Sequence, residues 1–318
     1  MIDPDEDEPF AKTTRPFVKP EALYPGARIR LVAPSGVFDP ALFEAGRARL
    51  AERYDVVHDP AIFSREGYLA GHDERRLREL LDAIEDPLCQ AVVCARGGYG
   101  AMRILPGLSM AMLARAPKLL VGFSDITALH VFWQRARVTS VHGAMAASLG
   151  TLDEPRFARW IRCVEGEPAA PVTGLETLVP GEARGPLVGG NLSILHALEG
   201  TPHSAHAIGR VVFLEDTGEA PYRVDRMLTT LRLSGFFDGA RAVVLGAFTH
   251  ASPGLHGTSV EDVLRERLAD LGIPVVRGLP AGHLEDNLEL PFGTDVTVRA
   301  SAEGASLTFE ESPVRARD

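Results

Sequence analysis

Leu119-Leu120-Val121-Gly122-Phe123-Ser124-Asp125-Ile126-Thr127 runs a short apolar segment into a Gly-x-Ser turn and straight on into a helical pattern. Leu119 to Val121 reads as a buried strand, and Ile126, Leu129 and Trp133 recur at helical spacing. A strand feeding a helix through so short a turn is the building unit of a parallel sheet. The same turn has chemical potential. Ser124 projects from a tight bend at the C-terminal end of its strand. The amides of the first helical turn have no intrahelical partners and point the same way, where they can hold an oxyanion. This is the physics of a nucleophile elbow, with Asp125 and Thr127 standing where the Gly-x-Ser-x-Gly form has small residues. Capping the helix is the other use of a serine in that place.

The pattern repeats outward in both directions. Ile29 to Ala33 predicts a strand ending in Pro34-Ser35-Gly36, residues 40–53 a helix, Val56-Val57 a short strand, residues 73–85 an amphipathic helix, and Ala91 to Ala95 another strand. Alternation at this pitch argues for a parallel sheet covered on both faces. Residues 167–190 are rich in proline and glycine and read as an interdomain linker or a pair of linking strands. Beyond them come a strand at 210–214, a helix at 221–234, a strand at 241–248, a helix at 259–271 and a strand at 274–278. Residues 294–310 alternate around Glu303-Gly304, as in a hairpin.

Composition bounds the function. The 318 residues suggest two domains at roughly 150 residues each. With 45% hydrophobic and 24% charged residues the chain is globular, and no apolar run approaches the roughly 18 residues of a membrane span. The net charge of −10 and the absence of a basic stripe argue against a nucleic-acid partner. Asp3, Asp5, Glu6, Asp7 and Glu8 make the start of the chain an acidic tail, expected to be disordered over residues 1–22 and unlike a secretory signal. Cys89, Cys94 and Cys163 form no CxxC pair, so neither a disulfide framework nor a zinc site is implied, and a cytoplasmic location is the simplest reading.

A serine nucleophile needs a base, and the base needs an orienting group. His283, in the polar loop after the Val275-Val276 strand, is a better candidate than the helical histidines. His142 follows a strand and is placed to line the same end of the sheet. His58, His72, His130, His196, His250 and His256 read as structural or surface residues, and His203-x-x-His206 lacks the acidic or cysteine partners of a metal site. Val211 to Leu214 would carry Glu215 to the C-terminal end of its strand. Ser124, Glu215 and His283 thus all follow strands, where open α/β sheets bind ligands. Arg96-Gly97-Gly98-Tyr99-Gly100 also ends a strand; its glycines suit a close backbone approach, either as a phosphate loop with an incomplete GxGxxG or as a second oxyanion donor. Gly189-Gly190-Asn191 before a helix is a cap or a cleft wall.

Taken together, ARGGYGAMRILPGL (95–108), LLVGFSDITALH (119–130), VHGAM (141–145), GGNLSILHALEGTP (189–202), FLEDTGEAPYRVDRMLTTLRLSG (213–235) and GHLEDNLELPFG (282–293) resemble, in order, the LD-carboxypeptidases. That serine peptidase family includes muramoyltetrapeptide carboxypeptidase and the microcin C self-immunity proteins. The resemblance implies a Ser–Glu–His triad at Ser124, Glu215 and His283, and an oxyanion hole from the Asp125 and Gly98 amides. It implies a flavodoxin-like N-terminal domain (23–166) with the nucleophile and a smaller β/α C-terminal domain (191–318) supplying Glu and His across a cleft. It further implies a homodimer, no cofactor, and a cytoplasmic muropeptide substrate from which terminal D-Ala is released. This chain has His142-Gly143-Ala144 where the family often has His-Gly-Pro, while GFSD and RGGYG look closer to the recycling enzymes than to the immunity branch. For the substrate's carboxylate Arg96 and Arg232 are both available, with Tyr99 and Asn191 as further contacts. Two other readings remain open: an immunity amidase cutting a peptidyl-nucleotide toxin with the same triad, and a non-catalytic ligand-binding protein on this scaffold.

Overall fold

The computed structural model describes residues 16–252 and 257–317. The acidic segment Asp3–Glu8 and His256 lie outside the described residues. The first half of the chain alternates β1 (Arg28–Val32), α1 (Pro40–Ala51), β2 (Asp55–Val57), α2 (Asp73–Glu85), β3 (Cys89–Cys94), α3 (Ala101–Ile104), α4 (Met110–Arg115), β4 (Leu119–Gly122), α5 (Thr127–Arg135), β5 (Ser140–His142), α6 (Ala146–Leu149) and α7 (Glu154–Val164). The second half comprises β6 (Val172–Val179), β7 (Gly181–Asn191), α8 (Leu192–Leu198), β8 (Val211–Thr217), α9 (Pro221–Leu233), β9 (Ala242–Thr249), α10 (Val260–Leu268), β10 (Val275–Arg277), β11 (Leu290–Phe292), β12 (Asp295–Ser301) and β13 (Gly304–Phe309).

The first sheet has the order β11-β5-β4-β3-β1-β2, parallel except for β11. Its five parallel strands follow the flavodoxin-like order 2-1-3-4-5, which reverses direction between β1 and β3 and opens a crevice at their C-terminal ends. Strand residues alternate between two cores. Ile29, Leu31, Ala91, Val93, Leu119 and Val121 pack under α1, α6 and α7, whereas Val32, Val92, Cys94 and Leu120 pack under α2 to α5. On α2, Leu80, Ala83 and Ile84 are fully buried, and each larger side chain contributes about 1.5–3 kcal/mol by leaving water.

The second sheet closes into a barrel, β10-β6-β13-β12-β7-β8-β9. β7, β8, β9 and β10 run parallel and carry the helices; β6, β13 and β12 complete the ring antiparallel. Val211, Phe213, Val244, Val298 and Leu307 fill the interior. Val212, Leu214, Val243 and Leu245 face outward into the same continuous core as α5, so the two halves share hydrophobic interior.

Two sequence expectations need correction. Residues 167–190 are no free linker, because most of them form β6 and β7, two barrel strands. Two of their glycines serve close packing: a Cβ on Gly189 would lie 2.0 Å from the Phe213 carbonyl oxygen, and one on Gly185 would lie 2.6 Å from that of Gly209. Residues 18–22, expected to belong to the tail, are instead held against the rest of the chain. The Val18 amide donates to the Arg137 carbonyl at 2.7 Å, Lys19 pairs with Glu311, and the Ala22 amide donates to the Arg315 carbonyl at 2.9 Å. The hairpin at the end of the chain is β12–β13, with Ser301 opposite Gly304. Among the described residues no helix is long and apolar enough to cross a membrane.

Candidate active site

Ser124 follows β4 and begins a single 3-10 turn that leads into α5. Its φ of +65° lies in the left-handed region, which costs a non-glycine residue about 1–2 kcal/mol. Neighbours hold this conformation in place. The Gly122 carbonyl accepts from the Gly143 amide at 3.1 Å and from His130 Nε2 at 2.8 Å. A carbonyl only accepts, so Nε2 carries the proton, and His130 Nδ1 accepts from Ser140 Oγ at 2.8 Å. Complete burial pushes the His130 pKa down to about 4, which keeps this support neutral. Opposite the serine, Gly97 leaves no space for a side chain: a Cβ there would lie 2.9 Å from Ser124 Cβ and 3.1 Å from its Oγ. Gly97→Ala is therefore expected to fold but to displace the hydroxyl. A fall in kcat of about 100-fold in steady-state turnover is the anticipated result.

Glu215 continues the inward row Val211–Phe213 and reaches the barrel mouth fully buried. The β8–β9 register shifts between Leu214 and Asp216, a local irregularity of the kind that re-aims a side chain. His283 lies in the loop between β10 and β11. Gly282 (φ +115°) lets that loop press on the acid, since a Cβ there would lie 2.8 Å from Glu215 Oε2. Asn287 Oδ1 holds the loop by accepting from the Gly282 amide at 2.8 Å.

The three side chains form one hydrogen-bonded chain. His283 Nδ1 lies 2.8 Å from Glu215 Oε2, and Nε2 lies 3.1 Å from Ser124 Oγ. An ionised carboxylate only accepts, so Nδ1 carries the proton and Nε2 is left as the acceptor for the serine hydroxyl. Burial lowers the His283 pKa, but the hydrogen bond and charge of Glu215, with the charge of Asp216, outweigh it and leave the imidazole above its ordinary 6.5.

Asn191 stands opposite Glu215 in the parallel β7–β8 ladder. Its Nδ2 donates to Glu215 Oε1 at 3.2 Å and to Asp216 Oδ1 at 3.1 Å, while its Oδ1 caps α8 at the Ile194 amide. Asn191 thus supports the acid from behind. Its backbone amide donates to Thr127 Oγ1 at 3.0 Å, tying the barrel to the first turn of α5. Gly190 permits this approach, because a Cβ there would lie 2.5 Å from Thr127 Oγ1.

The remaining candidates separate. Arg96 lines a cavity of about 520 Å³ beside Phe123, with Phe38, Leu42 and Met145 as apolar walls; one of its guanidinium nitrogens donates to the Val37 carbonyl at 2.6 Å. Tyr99 is exposed on the same loop, its ring 5.9 Å from that of Tyr68. Arg232 is not brought to this centre. Its guanidinium is engaged on α9 by the Arg267 carbonyl and by Asp270, with one contact at 2.8 Å. Gly98 (φ +107°) lies against the Ser35-Gly36 loop, and Asp125 directly follows the serine with its side chain buried. His142 does not join the hydrogen-bonded chain: it sits buried among Phe123, Phe213 and Phe292, held well below its ordinary pKa by burial and by the nearby His130 and His283. Among the described residues no cluster of His, Cys, Asp or Glu is arranged for a metal ion. The supporting roles of Thr127, Asp216 and Gly282 had no signal of their own in the sequence, since each depends on which strand lies alongside.

Comparison with known proteins gives the family of the chain. Residues 29–143 match the LD-carboxypeptidase N-terminal domain and residues 184–298 the LD-carboxypeptidase C-terminal domain. A Streptomyces coelicolor relative, provisionally named a carboxypeptidase, is 40% identical over 93% of this chain and 97% of its own. The crystal structure of muramoyltetrapeptide carboxypeptidase from Oxalobacter formigenes superposes with a TM-score of 0.82 at 31% identity, over 90% of this chain and all of that one. The microcin C7 self-immunity protein superposes with a TM-score of 0.83 at 20% identity, over 94% of this chain and all of that one, a likeness of fold.

Proposed function

The chain belongs to the LD-carboxypeptidase family, and from that premise we propose that it releases the terminal D-alanine from murein tetrapeptides by acyl transfer on Ser124. The observation that carries the proposal is the continuous hydrogen-bonded chain Ser124–His283–Glu215, with the serine in a strained turn at the head of a helix.

In this mechanism Ser124 Oγ attacks the scissile carbonyl while His283 Nε2 accepts its proton. Glu215 keeps the proton on Nδ1 and stabilises the imidazolium as it forms. The amides of Asp125 and Gly98 hold the oxyanion. His283 then protonates the departing amine of D-alanine, leaving an acyl-enzyme. Water enters, gives its proton to His283 and attacks the ester carbonyl; the imidazolium returns the proton to Ser124 Oγ as the shortened peptide leaves. No cofactor is needed for any step. The cavity at Arg96 and Phe123 supports a substrate subsite next to the serine, and Arg96 is better placed than Arg232 to meet a carboxylate there. The proposal extends, on the family likeness alone, to a cytoplasmic role in cell-wall recycling and to a homodimer.

The test is release of D-alanine from UDP-N-acetylmuramoyl tetrapeptide, with the pentapeptide and an aminoacyl-sulfamoyl adenosine as controls. The tetrapeptide is expected to be hydrolysed in preference to both. Preferential cleavage of the adenosine conjugate would move the assignment to a detoxifying amidase. Inertness to all three, with Ser124 unlabelled by a fluorophosphonate, would leave a binding protein.

A further inference from the structure

Two charged groups that the mechanism does not use are buried beneath the site. Arg76, on α2, is fully buried, and Asp125 is 1% exposed. The Arg76 guanidinium donates to the carbonyls of Pro34, Gly100 (2.8 Å) and Gly71 (3.3 Å) and pairs with Asp73. The Asp125 carboxylate accepts from Ser35 Oγ at 2.6 Å and from the Ala101 amide at 2.9 Å. Their partners are therefore consecutive residues: Arg76 takes Pro34 and Gly100, and Asp125 takes Ser35 and Ala101. These two segments, the loops after β1 and β3, also meet each other, with the Gly36 amide donating to the Gly97 carbonyl at 3.1 Å. α2 adds a second hold on the first loop, since Glu79 accepts from the Ala33 amide at 2.7 Å and Arg75 donates to the Ala33 carbonyl at 2.8 Å.

We infer that Arg76 and the Asp125 carboxylate are positioning residues that clamp Pro34-Ser35 and Gly100-Ala101 from two sides and so fix the Gly98 amide against the Asp125 amide. This rests on reading Ser124 as the nucleophile. A strained serine and two oxyanion donors on separate loops must be held to a fraction of an ångström before substrate arrives. Hydrophobic residues would fill the same volume with less desolvation cost, so buried charges are a poor choice for stability alone. What they supply here is direction. A guanidinium reaches several carbonyls in one plane, and a carboxylate accepts from two loops at once. Burial raises the Asp125 pKa, and its two hydrogen bonds, with a smaller contribution from the charge of Arg76, offset only part of that rise. Gly100 completes the clamp, because a Cβ there would lie 2.7 Å from the Arg76 guanidinium.

The experiment compares wild type, Ser124→Ala, Arg76→Met and Ser35→Ala, the last being a mild change that removes one donor to Asp125. Thermal melts establish which variants are folded. Tetrapeptide turnover gives kcat and KM, and a peptide boronic acid, which mimics the tetrahedral intermediate, gives Ki. In folded protein Arg76→Met is expected to lower kcat about 100-fold and Ser35→Ala about 10-fold, with KM within threefold and the boronate Ki rising in step. A structural role would lower the melting temperature without this split. The clamp is overturned if a folded Arg76→Met or, where that variant does not fold, Ser35→Ala keeps kcat within threefold, or if the boronate binds unchanged. Those results, with Ser124→Ala inactive, would spare the triad. Turnover surviving in Ser124→Ala would instead remove the triad and the clamp together.

Discussion

Ser124→Ala is expected to lower tetrapeptide turnover by about six orders of magnitude while leaving a folded protein. The size of the effect comes from the unit to which the hydroxyl belongs. Without Oγ there is no group for His283 Nε2 to deprotonate at 3.1 Å, and the ordered imidazole and carboxylate have nothing to activate. What remains is the binding and oxyanion stabilisation offered by the backbone, worth about three to four orders over water. Folding should survive, because alanine meets the same penalty at φ +65° as serine and the Oγ contact is with one half-buried ring. Single-turnover release of D-alanine and labelling by a fluorophosphonate check the result. Turnover within tenfold of wild type would end the assignment of this serine as nucleophile.

Glu215→Gln should cost about four orders in kcat, more than loss of one charge suggests, because Asn191 dictates how the new amide lies. Asn191 Oδ1 is committed to the Ile194 amide, so its Nδ2 must face position 215 and requires an acceptor there. Glutamine therefore turns its carbonyl oxygen to Asn191 and its NH2 toward His283 Nδ1. The imidazole responds by moving its proton to Nε2, where it points at Ser124 Oγ and can no longer accept. Adding Asn191→Ala frees the amide to rotate and is expected to return part of the loss. The pH profile supplies a second reading. In wild type kcat/KM requires neutral His283, whose pKa is raised, so activity falls as pH drops through a value above 6.5. Loss of the raising partner moves that acid limb to lower pH in Glu215→Gln, with the plateau lowered. An unmoved limb would show that another group controls the profile.

The grouping of Ser124, Glu215 and His283 was more legible in the sequence than the architecture of the second half. Ser124, Glu215 and His283 each follow a run such as LLVG, VVFL or VVR that reads as a buried strand. Strand ends in parallel sheets share one side, so candidates of complementary type could be grouped before any contact was known. Barrel closure could not be read. β6 and β7 hold Gly174, Gly181, Gly185, Pro186, Gly189 and Gly190, a composition identical to that of a linker. At Gly185, Gly189 and Gly190 a neighbouring backbone or Thr127 comes too close for a Cβ, a property of the partner strand rather than of local sequence. Arg96 and Arg232 were indistinguishable for the same reason. One lies beside Phe123 and the other is engaged by Asp270, and neither environment is written near the residue itself. The network around Arg76 was equally silent: in sequence it is one more arginine in DERRLRELL.

The segment bearing His283 leaves the barrel from β10 and rejoins the chain at β11, which pairs with β5 in the other sheet. Dissecting the chain between its two halves would therefore strip β5 of its outer neighbour and bare a row of unpaired amides and carbonyls, an invitation to aggregate. The imidazole, for its part, would hang from a tether fastened at one end. The two halves are thus poor candidates for independent modules, and any rearrangement by gene fission or domain shuffling would have to replace a lost seam as well as a lost base.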